Sequence, residues 1–332
     1  MPNNLKYSVA YIDTNTHEVI ESYNYKGDKY GGGRIVAAPF LDKFDNFHIF
    51  ANERCFVDIP INKKSQCHAL NDEQRGGIRA GMSLETFVPN LDNYDLIFAH
   101  QCGVYINTQK ERKKSTWTLG WKEQVNPGYK HFCYFSPFQY PILQRTDHVT
   151  HKVVIGPRVD HFHKYEKQDF LCQISRQSKI YSSIEVAELC NKYGIKGYFA
   201  GPIDKDYPFL DSIDNRNTFY LGEISLDEKI ALVEKAKLVT QMQHHFGLIT
   251  LFAKEAMVRG CGVLYYPYGE WEQLLEPIHG FPVRNEKDFY TAWAQRDHVN
   301  QYSCWKLAKE HSEDLMIELF SQAFERIVDD TV

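Results

Sequence analysis

The fold is decided by residues 218–266, which read TFYLGEISLDEKIALVEKAKLVTQMQHHFGLITLFAKEAMVRGCGVLYY. This stretch alternates short apolar runs of strand length with longer runs that have a helical pattern. The predicted strands are 218–221, 238–241 and 262–266, and the predicted helices between them are 227–236 and 251–259. Strands that alternate with helices of this length predict a parallel sheet joined by crossover helices.

The same alternation extends in both directions from this stretch. In the second half, it adds strands at 170–174 and 197–200 and helices at 182–193 and 271–275. In the first half, it predicts strands at 7–12, 47–51, 96–100 and 131–136, and a helix at 34–45. Two such series in one chain predict two Rossmann-like domains of the α/β class, with facing parallel sheets and a cleft between them where ligands bind.

The boundary between the domains is predicted at Gly156-Pro157, because this pair breaks the strand-like run 152–160. The first domain is then 1–157 and the second is 158–304. A long amphipathic helix, 305–327, is expected in the remaining segment 305–332 and would cross back to the first domain.

Composition limits the class of protein. The chain has 332 residues, 43% of them hydrophobic, which is enough for two buried cores. A net charge of −5 gives no overall attraction to nucleic acid or to a membrane surface. The eight cysteines show no C-x-x-C pair, and the chain shows neither a signal peptide nor a long apolar span. These features predict reduced thiols and a cytoplasmic protein without a transmembrane segment.

Two glycine- or cation-containing turns are candidate phosphate sites. Gly31, Gly32 and Gly33 precede Arg34 and a helix, so their backbone N–H groups can bind an anion, although a plain tight turn has the same sequence. Arg176 and Lys179 lie between a predicted strand and a predicted helix. They can neutralise a diphosphate, or they can be solvated loop cations.

A third candidate is the segment from His244 to Glu255. His244, His245, Phe246 and Gly247 follow a predicted strand, and Glu255 lies on the helix after them. A carboxylate near the start of a helix at a nucleotide cleft can accept hydrogen bonds from both ribose hydroxyls. Glu255 can equally be a solvated helix residue.

Several segments in this half resemble one known family in order along the chain: VVIGPRVDHF at 153–162, YLGEISLDEKIALVEKAK at 220–237, FGL at 246–248, EAMVRGCGVL at 255–264 and YGEWEQLLEPIHGF at 268–281. They are similar to the large retaining GT-B glycosyltransferase family that includes sucrose and glycogen synthases and bacterial mannosyltransferases. The resemblance covers residues 150–282 and is thin in the first half, where it rests on Gly31 to Arg34 and on YDLIFAH, which ends at His100.

This resemblance implies roles for individual residues. Lys179 falls at the family's phosphate-binding lysine, and Arg176 is the nearest candidate for its arginine. Glu255 would hold the ribose of a nucleotide-sugar donor, with Glu272 in support. His100 would hydrogen-bond the transferred sugar, unless it is a core histidine.

The chain departs from the family at the donor loop. Family members carry a further Glu there, which in this chain falls on Gly247 or near His244, so His244 or His245 is a candidate to replace it.

The resemblance also implies the reaction, which is transfer from a nucleoside diphosphate sugar, with UDP-sugar favoured, with retention and without a metal or other cofactor. The acceptor is not identified. The basic and aromatic segment 108–124 could hold a glycan, a lipid headgroup or DNA, or could be a solvated helical face. A composition rich in Tyr, Phe, Asn and Lys is phage-like and favours a hydroxymethylated DNA base, which would place the protein in a host cytoplasm. One alternative is a non-catalytic module that binds nucleotide sugars or glycans, and another is a phosphorylase or an epimerase on the same fold.

Overall fold

The structure is a computed structural model, and it describes residues 5–12, 32–51, 61–71, 73–74, 91–100, 115–118, 131–134, 149–243 and 250–330. The described chain forms two units. The first contains the described residues up to Ile155 together with those from Asp314 onward, and the second is Gly156–Glu313. Among the described residues, the chain thus passes from the first unit to the second at Gly156 and returns to the first at Asp314.

The first unit is built on a parallel sheet of seven strands in the order β3-β2-β1-β4-β5-β6-β7. The strands are β1 (Val9–Ile12), β2 (Phe47–Ala51), β3 (Cys67–Ala69), β4 (Leu96–His100), β5 (Ser115–Thr118), β6 (His131–Tyr134) and β7 (Val149–Lys152). Helix α1 (Gly32–Lys43) lies between β1 and β2 in the sequence. The order reverses between β1 and β4, so the carboxyl ends of these two strands mark the topological switch point of this sheet.

The second unit contains a parallel sheet of six strands in the order β10-β9-β8-β11-β12-β13. The strands are β8 (Gln168–Ile174), β9 (Lys196–Ala200), β10 (Thr218–Tyr220), β11 (Ala236–Gln241), β12 (Gly262–Tyr265) and β13 (Gly280–Pro282). Counted within the unit, this is the Rossmann order 3-2-1-4-5-6. Its switch point lies between β8 and β11.

Helices cover both faces of this second sheet. They are α2 (Ser183–Tyr193), α3 (Leu226–Lys235), α4 (Leu251–Val258), α5 (Glu270–Leu274), α6 (Glu286–Ala294) and α7 (Gln301–Lys309). One core contains buried residues of α3, α4 and α7, and the other contains buried residues of α2 and α6. The helices on both faces explain why strands such as β11 are almost continuously buried.

The last helix, α8 (Glu313–Asp329), belongs to the first unit. Its buried Phe320 and Phe324 pack against Phe40 of α1 and Phe98 of β4, with ring centroids 5.3–5.9 Å apart. The prediction of one continuous helix from 305 to 327 is wrong, because α7 ends at Lys309 and α8 begins at Glu313. The amide of Glu313 donates to the carbonyl of Pro157 at 2.9 Å, and this contact between distant segments interrupts the helical hydrogen bonding.

The predicted alternation of strands and helices is confirmed, with shifts at some ends. Helix α1 begins at Gly32 rather than Arg34. A strand was predicted to start at residue 152, but β7 (Val149–Lys152) ends at this residue instead. Strands β3, β5 and β13 were not predicted, because three or four residues carry too little periodicity to recognise.

Candidate functional site

In the second unit, the two cations that were predicted from the sequence to bind phosphate lie at the switch point of the sheet. The segment that follows β8 contains Arg176 and Lys179, and the segment that follows β11 leads to α4. In open α/β sheets, ligands bind outside the carboxyl ends of the strands where the order reverses. The two segments at this switch point are therefore the candidate site.

The segment after β8 is fixed by Gln177. The Nε2 atom of this buried side chain donates to the carbonyls of Ser175 and Ala200, both at 2.8 Å. Its backbone amide donates to Pro202 O at 2.7 Å, and its carbonyl accepts from Asp204 N at 3.0 Å. The segment after β8 is thus hydrogen-bonded to the segment after β9, which gives the two cations a rigid base.

A glycine makes this close approach of the two segments possible. Gly201 has a φ of +115°, and a Cβ built on it would lie 2.2 Å from the carbonyl oxygen of Ser175. Any side chain here would push the two segments apart.

The two cations have different surroundings. Arg176 Nε lies 3.5 Å from Asp204 Oδ1, and both side chains are partly buried. Burial raises the pKa of the neighbouring Tyr181, and the Arg176 cation acts in the opposite direction. Lys179 is exposed at the start of a 3-10 turn, and its side chain has no hydrogen bond or ion pair with any described residue. Lys179 is therefore available to an anion, while Arg176 is held in place by a carboxylate.

Glu255 lies in the second turn of α4 and is paired with a residue that the sequence reasoning missed. Its Oε2 is 2.6 Å from Lys229 Nζ on the first turns of α3, and both side chains are about three-quarters buried. The Lys229 ammonium also lies 5.8 Å from the centroid of the Phe252 ring. The sequence contained a feature that could have located Lys229. Ser225 and Glu228 form a capping box, which fixes the start of α3 near the carboxyl edge of the sheet.

Glu272 lies on α5, after β12. Its Oε1 is 3.3 Å from Arg284 Nη2, in an ion pair whose side chains are both more than half exposed. Arg284 follows β13 and was also missed. The structure therefore pairs Glu272 with Arg284. Both residues lie at the carboxyl edge of the sheet, like Arg176 and Lys179, but they follow β12 and β13 instead of β8. A supporting role for Glu272 beside Glu255 stays a prediction.

Buried side-chain oxygens without a hydrogen-bond partner among the described residues collect around β8 and β11. They are Gln173 Oε1, Gln177 Oε1, Ser178 Oγ, Thr240 Oγ1 and Gln243 Oε1. Buried polar atoms are normally paired, and those that are not often mark sites where water or a ligand binds. Polar residues inside the apolar runs FLCQIS and LVTQMQ were the sequence signal for them.

The remaining predicted site residues fall elsewhere. His245, Phe246 and Gly247, like His244, lie outside the described residues. Gly32 and Gly33 form the first turn of α1, so the predicted placement of glycine amides at a helix N-terminus is confirmed.

His100 is the last residue of β4, at the carboxyl end of this strand and beside β1. Its side chain lies outside the described residues. His100 thus ends β4, and α1 follows β1 in the sequence, so both lie next to the two strands that form the switch point of the first sheet.

The described part of the chain contains no group of three His, Cys, Asp or Glu side chains that could hold a metal ion. None of its helices combines the length and the apolar character that a membrane span requires. Cys67, Cys133, Cys172, Cys190, Cys261 and Cys304, the cysteines in this part, form no disulfide.

Solved structures with similar folds are glycosyltransferases. AviGT4, a glycosyltransferase involved in avilamycin A biosynthesis, is 17% identical and has a TM-score of 0.69, with 97% of this chain and 98% of that chain covered. HepE of Anabaena in complex with UDP and glucose is 13% identical, with a TM-score of 0.67 and 97% and 100% covered. A glycosyltransferase from Rickettsia africae is 12% identical, with a TM-score of 0.69 and 97% and 99% covered.

No protein-family model and no curated protein matches the sequence. The structural likeness nevertheless extends over nearly the whole chain, and the strand orders are those of Rossmann-like sheets. The chain therefore has the GT-B fold, and the predicted fold class is confirmed.

Proposed function

We propose that this chain, which has the GT-B fold, is a glycosyltransferase that moves a sugar from a nucleoside diphosphate donor to an acceptor. The observation that carries the proposal is the pair of cations, Arg176 and Lys179, on a rigid segment at the switch point of the second sheet. A diphosphate needs such a site because negative charge grows on its oxygens as the glycosidic bond breaks.

The roles follow from the surroundings of each cation. Lys179, which has no partner among the described residues, would contact the diphosphate directly as a point charge. Arg176 has a planar fork of N–H donors, so it can bind phosphate oxygens while it remains next to Asp204. The amides of Gly32 and Gly33 and those of His245 to Gly247 are further proposed donor contacts, and this assignment rests on the family resemblance.

Glu255 would bind the ribose hydroxyls. Its ion pair with Lys229 holds the carboxylate in one orientation, so Lys229 is a positioning residue in this proposal. Glu272 and His100 are proposed to support the donor and to hydrogen-bond the transferred sugar, respectively.

A UDP-sugar is the proposed donor, and the HepE structures that contain UDP and glucose, UDP-glucose or UDP support this choice. Retention of configuration and transfer without a metal rest on the family resemblance of residues 150–282. A cytoplasmic location is proposed as well and agrees with the free thiols of the described cysteines.

An anionic acceptor, such as a hydroxymethylated base in DNA, rests on the basic segment 108–124. Most of this segment lies outside the described residues.

A thermal-shift panel of UDP, GDP, ADP and their sugars tests the donor. A ligand that binds only the folded protein stabilises it by RT ln(1 + [L]/Kd), about 2.7 kcal/mol at a hundredfold excess over Kd. Incubation with the best ligand and analysis for released nucleotide then separates an enzyme from a non-catalytic module, which would bind without turnover.

Lys179→Ala and Arg176→Ala test the site. Each is expected to lower the rate by about 100-fold or more, since each removes a group that stabilises developing charge. The melting temperature should hardly change for Lys179→Ala, because this side chain is exposed. Lys196→Ala, at the amino end of β9 on the opposite edge of the sheet, is the matched control and should keep full activity. Full activity in both site variants would rule out the assignment.

A further inference from the structure

Three aromatic side chains form an exposed cluster on the second unit, away from the candidate site. Phe162, Tyr302 and Trp305 contact one another with ring centroids 5.2–5.9 Å apart. Phe162 is 36% exposed and Tyr302 is 53% exposed, so two large rings of this aromatic cluster face solvent. Exposed apolar patches of this kind frequently mark interaction surfaces.

The aromatic cluster is held in a fixed arrangement. Tyr165 and Gln301 exchange two hydrogen bonds of 2.9 Å, which join the segment 158–167 to the start of α7. The indole Nε1 of Trp305 donates to the carbonyl of Asp160 at 3.0 Å. The rings are thus presented by two anchored segments, and their exposure is not the result of a loose loop.

The two segments that carry these rings have an excess of basic residues. The segments 158–167 and 301–309 together contain five Lys and Arg residues and two acidic residues, although the whole chain has a net charge of −5. Lys306 and Lys309 lie on α7 beside the aromatic residues, and both are exposed. Such a local excess of positive charge on an acidic protein favours an anionic partner.

The geometry distinguishes between two kinds of anionic partner. A nucleic acid would bind by stacking its bases on free ring faces. Here Lys309 Nζ lies 5.0 Å from the centroid of the Trp305 ring, so one face of the ring is already occupied by a cation. Phe162 contacts both of its neighbours edge to face, with interplanar angles of 88° and 63°.

A bilayer surface needs no free ring face. It needs apolar tips that enter the headgroup region and lysines whose ammonium groups reach the lipid phosphates.

We infer that the aromatic cluster and its lysines form a docking surface for an anionic lipid bilayer. The segment 158–167 leads into the amino end of β8, and Lys167 Nζ donates to the carbonyl of Arg259 at the end of α4. The docking surface therefore lies at the edge of the sheet opposite to Lys179. The protein can bind the membrane there while the carboxyl edge of the sheet stays accessible.

Vesicle cosedimentation of the full chain tests the inference. Vesicles of phosphatidylcholine alone are compared with vesicles that also contain phosphatidylglycerol, and the wild type is expected to bind only the latter, less strongly as salt is added. Loss of one lysine near an anionic surface weakens binding by about 5-fold, so Lys306→Ala/Lys309→Ala should weaken it by about 25-fold. Phe162→Ser/Tyr302→Ser should weaken it by about 10-fold or more, because both apolar tips are lost.

Lys287→Ala/Tyr290→Ser is the matched control. It removes an exposed lysine and an exposed tyrosine from α6 of the same unit and should bind vesicles like the wild type. All variants should keep the thermal shift with the donor nucleotide, which separates this inference from the proposed function.

Equal binding to both kinds of vesicle, no binding to either, or wild-type binding by the two cluster variants would overturn the inference. Binding of a single-stranded oligonucleotide without binding of anionic vesicles would also overturn it.

Discussion

A buried histidine pair in the first unit makes the stability of this protein depend on pH in a predictable way. His131 on β6 and His151 on β7 are 1% and 5% exposed, and His131 Nδ1 lies 3.3 Å from His151 Nε2. Burial lowers the pKa of His151 to about 4, with smaller contributions in the same direction from His131 and Arg326, while Asp330 raises it. The folded protein therefore strongly favours a neutral His151.

The sign and the size of the effect follow from this shift. In the unfolded chain, a histidine titrates with a pKa near 6.5. Below this pH, the unfolded state binds a proton at residue 151 that the folded state does not bind until the pH approaches about 4. The stability is fully present above about pH 6.5 and is lost as the pH falls toward about 4. Linkage gives a loss of about 2 kcal/mol between about pH 7.5 and about pH 5 from this residue alone.

The assay is urea unfolding, followed by circular dichroism across this pH range, for the wild type and His151→Gln. The amide of Gln does not titrate, so the free energy of unfolding of the variant should fall by about 2 kcal/mol less than that of the wild type. His298→Gln, which changes an exposed histidine, is the control and should follow the wild type. If His151→Gln and the wild type lose stability in parallel as the pH falls, the reasoning is refuted.

Three substitutions test other parts of the fold. Phe320→Ala removes a fully buried ring by which α8 packs on the first unit, and should lower the free energy of unfolding in urea by about 3–5 kcal/mol. Gly156→Ala would place a Cβ 1.6 Å from the carbonyl oxygen of His311, so the backbone must shift; a drop in melting temperature at least as large as that of Phe320→Ala is expected. Ser225→Ala removes the capping box with Glu228 and should cost about 1 kcal/mol in the same urea assay.

The sequence was sufficient for the fold of the second unit, because its strands and helices carry strong local patterns. Helix 182–193 was predicted within one residue of α2, and the strand 170–174 falls within β8. The break between α7 and α8 could not be predicted, because residues 310–312 contain neither Gly nor Pro. The break is caused by residues that are distant in the sequence. Gly156 packs against the carbonyl of His311, and the carbonyl of Pro157 accepts a hydrogen bond from the amide of Glu313.

The candidate site was predictable to the same degree. The order of strand, polar loop and helix was enough to place Arg176 and Lys179 at the carboxyl edge of the sheet. It gave no information on Asp204, which comes from the neighbouring loop and contacts Arg176. Pairing between loops depends on strand order, and a sequence pattern does not contain strand order.

The contact between Glu255 and Lys229 bears directly on whether Glu255 can hold a ribose. An ion pair could block such a role, but the close contact of Lys229 Nζ is with one of the two oxygens, Oε2, at 2.6 Å. A carboxylate accepts about four hydrogen bonds through its two oxygens, so Oε1 and the second lone pair of Oε2 remain for two hydroxyl donors. Because the pair is mostly buried, removing Lys229 would leave the carboxylate without its partner, which is destabilising. In this proposal, Lys229 therefore holds the carboxylate in the orientation that ribose binding requires.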